Sequence, residues 1–475
     1  MARTTPSGTG LGGPATPSPV GASMTTHTLD LRGATAVVTG SMVGVGIFLA
    51  PPEVAAALPH PVPFLGLWLL AAVGALAGAA TYAALGRFRP EDGGDVVYQR
   101  EALGPAIAFA TGHLQLWAVF CGSAATIAAA LGQYQLPTAL GIPLAELGVT
   151  LPGGFSITGA QMVGAVVVLA VTAVQDRGLR TTDFVQRTLA VIPVAALALL
   201  ALATLGMAVG EVLPPLPQKP PPPSPWTLGA VVGAWLAAHF AYSGWNAVVY
   251  AAGVVEDPDR TLPRAMLGGT LSVAALYLLI CGALAAGLGM PALADAGEAG
   301  TALAAHLGGD GLARVMNALI AVGLLGTVHA TLLGGARVGL AMGRSGDLPA
   351  AMGAVDHQGT PRTALWVQGA WTALLVLTNA ADALLTAVAL AMVVVGTLTA
   401  VSLFVLRRRL GTSGPTGFGV PGLPLVHLVL GLVVVGLECA HAISPSGNRI
   451  SLLGLVVFGL AVGIGAARRH SRRGV

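Results

Sequence analysis

The groups best placed to do chemistry in this chain of 475 residues are backbone groups. Two apolar stretches carry glycines where a helix ought to be continuous: Gly40-Ser41-Met42-Val43-Gly44-Val45-Gly46 and Phe240-Ala241-Tyr242-Ser243-Gly244-Trp245-Asn246. Each glycine inside a helix costs about 1 kcal/mol relative to alanine, so both stretches favour unwinding. Unwinding frees N–H and C=O groups that lipid cannot satisfy. A bound zwitterion can satisfy them. The half-helix starting near Gly46 offers amides and a positive dipole end to a carboxylate, and the unwound carbonyls of the second stretch suit an ammonium group. Interruptions at matching positions of two halves are the sequence mark of a binding site at a repeat interface. Close helix packing is the other use of the small-residue spacing in GSMVGVG. A dinucleotide fingerprint fails there, because no strand precedes the glycines.

Polar side chains at the same depth are few. His113, His239 and His329 fall inside apolar spans, and a histidine there can carry a proton. His239 is the preferred coupling candidate because it adjoins Phe240, with His329 beside it. The spans that would line the site hold no Asp or Glu at mid-membrane depth. A cationic side chain would want a buried carboxylate partner, so a neutral and apolar ligand is favoured. Cys121, Cys281 and Cys439 all sit in apolar stretches and give neither a disulfide framework nor metal-ligand spacing. No metal or cofactor is expected. An intramembrane enzyme and a channel are disfavoured: His-Glu-x-x-His, Gly-x-Ser-x-Gly and filter-like loops are missing from the sequence.

The elements that must position these groups follow from composition. Hydrophobic residues make up 55% and charged residues 9% of the chain, with mean hydropathy +0.79. A soluble domain carries roughly 25% charged residues, so this chain needs lipid around it. Spanning takes about 20 apolar residues. Runs of that kind lie near 32–57, 64–87, 104–132, 157–174, 184–209, 227–254, 265–288, 313–340, 363–379, 382–406, 423–442 and 450–467. The reading is an all-α membrane protein of twelve spans, the first and sixth broken. Arginines gather in alternate loops, from Arg87, Arg89 and Arg100 through Arg407, Arg408 and Arg409 to the tail at Arg468 and Arg469. The positive-inside rule then places both termini in the cytoplasm. The net charge of +3 needs no nucleic acid to explain it. Residues 1–30, rich in Thr, Pro, Gly and Ser, read as a disordered cytoplasmic tail, and Pro214–Pro225 reads as a stiff polyproline spacer. The transporting core is 31–422, followed by two further spans over 423–467 and a basic tail at 468–475.

Taken in order, the motifs resemble the amino acid–polyamine–organocation (APC) superfamily of permeases. GSMVGVGIF, the loop Arg89-Pro90-Glu91-Asp92-Gly93-Gly94-Asp95-Val96-Val97-Tyr98, FAYSGWN, Glu256-Asp257-Pro258-Asp259-Arg260-Thr261-Leu262-Pro263-Arg264, Gly346-Asp347-Leu348-Pro349 and Thr360-Pro361 carry the likeness. The resemblance implies a 5+5 inverted repeat of the leucine-transporter type, with the last two spans peripheral. It implies a secondary transporter that moves a neutral, apolar L-amino acid across the plasma membrane by alternating access, as an exchanger or a proton-coupled symporter. A cationic amino acid or polyamine exchanger of the same fold is the alternative. By the same resemblance Gly44, Val45 and Gly46 supply amides to the substrate carboxylate, and Ser41 and Met42 supply carbonyls to its amino group. Phe240 caps the substrate, Ser243, Gly244 and Asn246 contact it from the sixth span, and Thr331 faces it from the eighth. Thr327 joins the coupling candidates, protons or sodium being the ions. Proton-coupled relatives carry a lysine seven residues after a Gln in the fifth span. Here that count from Gln186 reaches Pro193, which favours exchange or facilitated transport. Relatives that pair through a disulfide use a cysteine absent from 133–156, so a monomer or homodimer is expected.

Overall fold

The computed structural model describes residues 28–44, 46–144, 147–150, 156–215, 227–378, 381–443 and 453–473. Val45, most of the proline-rich spacer and the N-terminal tail as far as residue 27 lie outside the described residues. The chain is helical nearly throughout. Asp30 caps α1 (Leu31–Met42), its side chain accepting from the Gly33 amide. The chain then breaks and resumes as α2 (Gly46–Ala57), bent by 41°. α3 (Pro61–Phe88) and the short α4 (Asp95–Ala102) lead to α5 (Pro105–Ala139), which contains two π-helical stretches, Leu114–Phe120 and Leu131–Gln135. A small antiparallel hairpin, β1 (Gly148–Thr150) and β2 (Ser156–Thr158), precedes α6 (Gly159–Gln175). Thr158 and Gln161 close a reciprocal capping box at the start of α6.

α7 (Leu179–Val209) and α8 (Leu228–Ala241) follow. α8 gives way to a 3-10 stretch, Ala247–Val254, before α9 (Pro258–Leu288) and the short α10 (Met290–Ala294). α11 (Ala299–Arg344), α12 (Arg362–Thr378), α13 (Ala381–Leu410), α14 (Gly422–Ile443) and α15 (Leu453–Arg473) complete the fold. Among the described residues five helices are long and apolar enough to cross a membrane, or six if the bent pair α1 and α2 counts as one span. Exposed apolar side chains such as Val62, Phe184, Val191 and Leu199 ring the outside, as a lipid-facing surface requires.

α9 packs along α3, α1 and α7, while α8 lies against α2 and α11 against α7. The two broken segments are therefore held in the interior by continuous helices around them. The start of the first span pairs with the end of the sixth: the Leu29 amide donates to Val254 O at 2.8 Å and the Glu256 amide donates to Leu29 O at 2.9 Å. Leu29, within the segment read as a tail, is fully buried there.

Candidate functional site

Both glycine-bearing stretches break, and the breaks meet. At the first, Val43 leaves the helical region (φ −77°, ψ 77°) and α1 ends. At the second, α8 ends at Tyr242, and Gly244 turns through a positive φ of 101° that a residue with a Cβ rarely adopts. A Cβ on Gly244 would stand 2.7 Å from both the carbonyl carbon and the oxygen of Ser41. A Cβ on Gly46 would run into the Ala241 backbone. These glycines are required by close approach of one break to the other.

The freed carbonyls are partly taken up by the protein. The Thr327 hydroxyl on α11 lies 2.9 Å from Gly40 O and 3.1 Å from Val43 O. The Tyr277 hydroxyl on α9 donates to Met42 O at 2.5 Å and lies 3.2 Å from Ala241 O, so one side chain addresses both breaks. The first amides of α2 have no intrahelical acceptor. Helix α1 is anchored at its far end by Asp30, which accepts from the Gly33 amide and from Arg187, each at 2.7 Å. Burial pushes this carboxyl up, but those two partners outweigh it and hold Asp30 below its ordinary value.

Beside the meeting point lies a cavity of about 110 Å³. Of the residues singled out from the sequence, Ser41, Phe240, Ser243, Gly244, Asn246, Thr327, Thr331 and His239 line it. Met42 is buried behind it with its carbonyl on Tyr277. Gly44 packs on Thr327 and Gly46 on Ala241. His329 is buried away from the cavity, its Nδ1 2.9 Å from Gln186 Oε1.

Two expectations need correction. The first concerns carboxylates. Asp95, at the start of α4, is fully buried directly behind the cavity wall. Tyr82 and Thr399 donate to its Oδ1; Tyr250 (2.6 Å) and Gln115 (2.8 Å) reach its Oδ2. Tyr82, Gln115, Tyr250 and Asn246 all line the cavity, and Asn246 donates to the Tyr250 hydroxyl at 2.8 Å. A buried carboxylate is therefore present, brought in by a loop rather than by the spans themselves. Its oxygens are occupied by four donors from α3, α5, α13 and the 3-10 stretch. The second concerns α14, expected to be peripheral. His427, Leu430, Gly431 and Val434 from α14 form part of the cavity wall, because α14 packs against α3 and α13.

Charge is concentrated at the end of the bundle where α1 starts. Arg337 on α11 pairs with Asp92 at 3.3 Å, both almost fully buried. Asp92 also accepts from the Gly253 amide at 3.2 Å. Arg100 pairs with Asp347, and Arg89 with Glu101 at 2.6 Å. Among the described residues no cluster of His, Cys, Asp or Glu could hold a metal ion.

A family model described as amino acid permease matches residues 29–463. The chain is 30% identical over 331 residues to the serine/threonine exchanger SteT of Bacillus subtilis, covering 68% of this chain and 69% of that one. It is 25% identical over 437 residues to amino acid transporter protein 6 of Caenorhabditis elegans, covering 90% and 82%. It is 26% identical over 361 residues to the large neutral amino acids transporter small subunit 2 of Rattus norvegicus, covering 74% and 64%.

Proposed function

This chain belongs to the amino acid permeases of the APC superfamily, and from that premise we propose that it carries a neutral L-amino acid across the plasma membrane by alternating access. It is a transporter rather than an enzyme. The observation that carries the reading is the contact of the two breaks beside the cavity, with Ser41 and Gly244 in touch. The substrate carboxylate is read as meeting the amides at Gly44, Val45 and Gly46. The ammonium group meets carbonyls near Ser41 and Met42, with Phe240 as cap. Ser243, Gly244, Asn246 and Thr331 complete the contacts. A neutral substrate is preferred to a cationic one because the acceptor positions of Asp95, the carboxylate behind the wall, are already filled by hydroxyls and an amide.

Exchange is preferred to proton symport. Pro193, where a coupling lysine would stand, packs on Gly323 of α11, and one relative is named an exchanger. His239, His329 and Thr327 are the coupling candidates if an ion gradient is used. The proposal includes twelve spans in a 5+5 inverted repeat, cytoplasmic termini, and a monomer or homodimer without a disulfide partner. Uptake and counterflow of labelled neutral amino acids into proteoliposomes, with and without proton and sodium gradients, tests it. Counterflow that needs no gradient is expected. Failure to move any amino acid overturns the reading.

A further inference from the structure

The cavity continues past the two breaks towards α14, and there its chemistry changes. Most buried polar side-chain atoms of the interior are hydrogen-bonded, as burial demands. Trp235 Nε1 and His427 Nε2 line this extension and have no partner among the described residues. Both side chains are more than nine-tenths buried, each 8% exposed. Trp235 stacks on His239 with ring centroids 6.4 Å apart, and His427 stands edge-on to Trp245 at 5.6 Å. His427 lies against Gly396 of α13. Gly74 on α3 faces the Trp235 ring, leaving space where a larger side chain would intrude.

An indole N–H can only donate. Left unmatched in a dry site it forfeits its hydration with nothing in return, so the fitting ligand brings an acceptor. The imidazole nitrogen in the same cavity lining accepts or donates according to its tautomer. A hydroxyl or a carboxamide offers both an acceptor and a donor; an aliphatic side chain offers neither. We propose that Trp235 and His427 form a side-chain subsite, completed by α14, that selects an uncharged substrate side chain bearing a hydroxyl or carboxamide. This rests on the amino acid transport reading and replaces the apolar side chain expected from the sequence with a polar one. It also gives α14 a part in specificity.

The test uses isosteric pairs, threonine against valine and asparagine against leucine, because each pair differs in polarity at nearly constant shape. Affinities are measured on the full chain in nanodiscs by competition against a labelled substrate. The wild-type protein is expected to favour the polar member of each pair at least about tenfold, since a site with buried polar groups rejects the analogue that leaves them unpaired. Trp235→Phe and His427→Phe should shrink that preference towards unity while valine and leucine still bind. Gly74→Ala, whose added methyl would sit at ordinary contact distance from Leu430 and Trp235, should narrow the subsite and weaken asparagine more than alanine. A wild-type protein that binds both members of each pair equally overturns the subsite and leaves amino acid transport standing. Unchanged preference in folded variants does the same. If no amino acid binds at all, the transport reading falls first.

Discussion

Gly244→Ala is the substitution from which the most can be learned, because two separate costs meet at one atom. The new residue must hold φ near 101°, a conformation costing of the order of 1–3 kcal/mol for a residue with a Cβ. Its methyl would also stand 2.7 Å from the Ser41 carbonyl carbon and oxygen and 2.8 Å from Ser41 Oγ. The first break must therefore retreat by roughly 0.7 Å or more to regain van der Waals separation. Forced overpacking of this kind costs about 1–3 kcal/mol, so the sum is about 2–6 kcal/mol. The displacement falls on the backbone that forms the site, so binding should suffer more than folding. The assay is thermal unfolding of purified protein with and without a transported amino acid, together with counterflow. Gly268→Ala is the control, since a Cβ there meets nothing within 4 Å. Gly244→Ala should melt well below this control and lose substrate-induced stabilisation. If the two variants melt alike and both are stabilised by substrate, the contact between the breaks is not the site.

Two further substitutions probe what surrounds the cavity. Asp95→Leu abandons four donors, from Tyr82, Gln115, Tyr250 and Thr399, and unmatched buried donors cost about 1–3 kcal/mol each. Asp95→Asn keeps one acceptor oxygen, so its melting temperature should lie between those of Asp95→Leu and the wild type; a leucine variant as stable as wild type would mean that the network holds nothing together. Arg337→Met strands Asp92 as a buried charge, at a cost of about 3–5 kcal/mol. Adding Asp92→Asn should recover much of it, which a double-mutant cycle measures, and simple additivity would contradict the pairing.

The sequence carried the two breaks plainly, because glycine weakens an apolar helix wherever it stands and two such stretches occupied matched positions. The family resemblance singled out Phe240, Ser243 and Asn246 in the second stretch, and all three line the cavity. The sequence did not carry Asp95. That residue sits in a short connection between spans, and its four partners come from positions 82, 115, 250 and 399. Nothing local distinguishes a loop aspartate that faces water from one folded under a cavity; only the packing of α4 beneath α3, α5 and α13 decides it. One signal was available: Asp95 follows Gly93 and Gly94, both with positive φ, and such a turn swings the chain inward. His427 escaped for a similar reason. A histidine in a span judged peripheral gives no sign of its neighbours, and α14 owes its place in the wall to α3 and α13. Membrane depth alone also did not separate His239, which faces the cavity, from His329, which is bonded to Gln186 behind it.

A hydroxyl has a single proton to give. Tyr277 nevertheless stands within reach of two carbonyls, Met42 O at 2.5 Å and Ala241 O at 3.2 Å, one on each broken span. The proton belongs to Met42 in this arrangement, with Ala241 as an acceptor in waiting. Were the first break to move away, as the proposed alternating access requires, that bond would lengthen while the second could tighten, and one bond would be kept throughout. The joint between the two spans thus behaves as a handover rather than a lock. A rocking motion through such a joint would lose less bonding on the way than one that first broke a hydrogen bond held by a single partner.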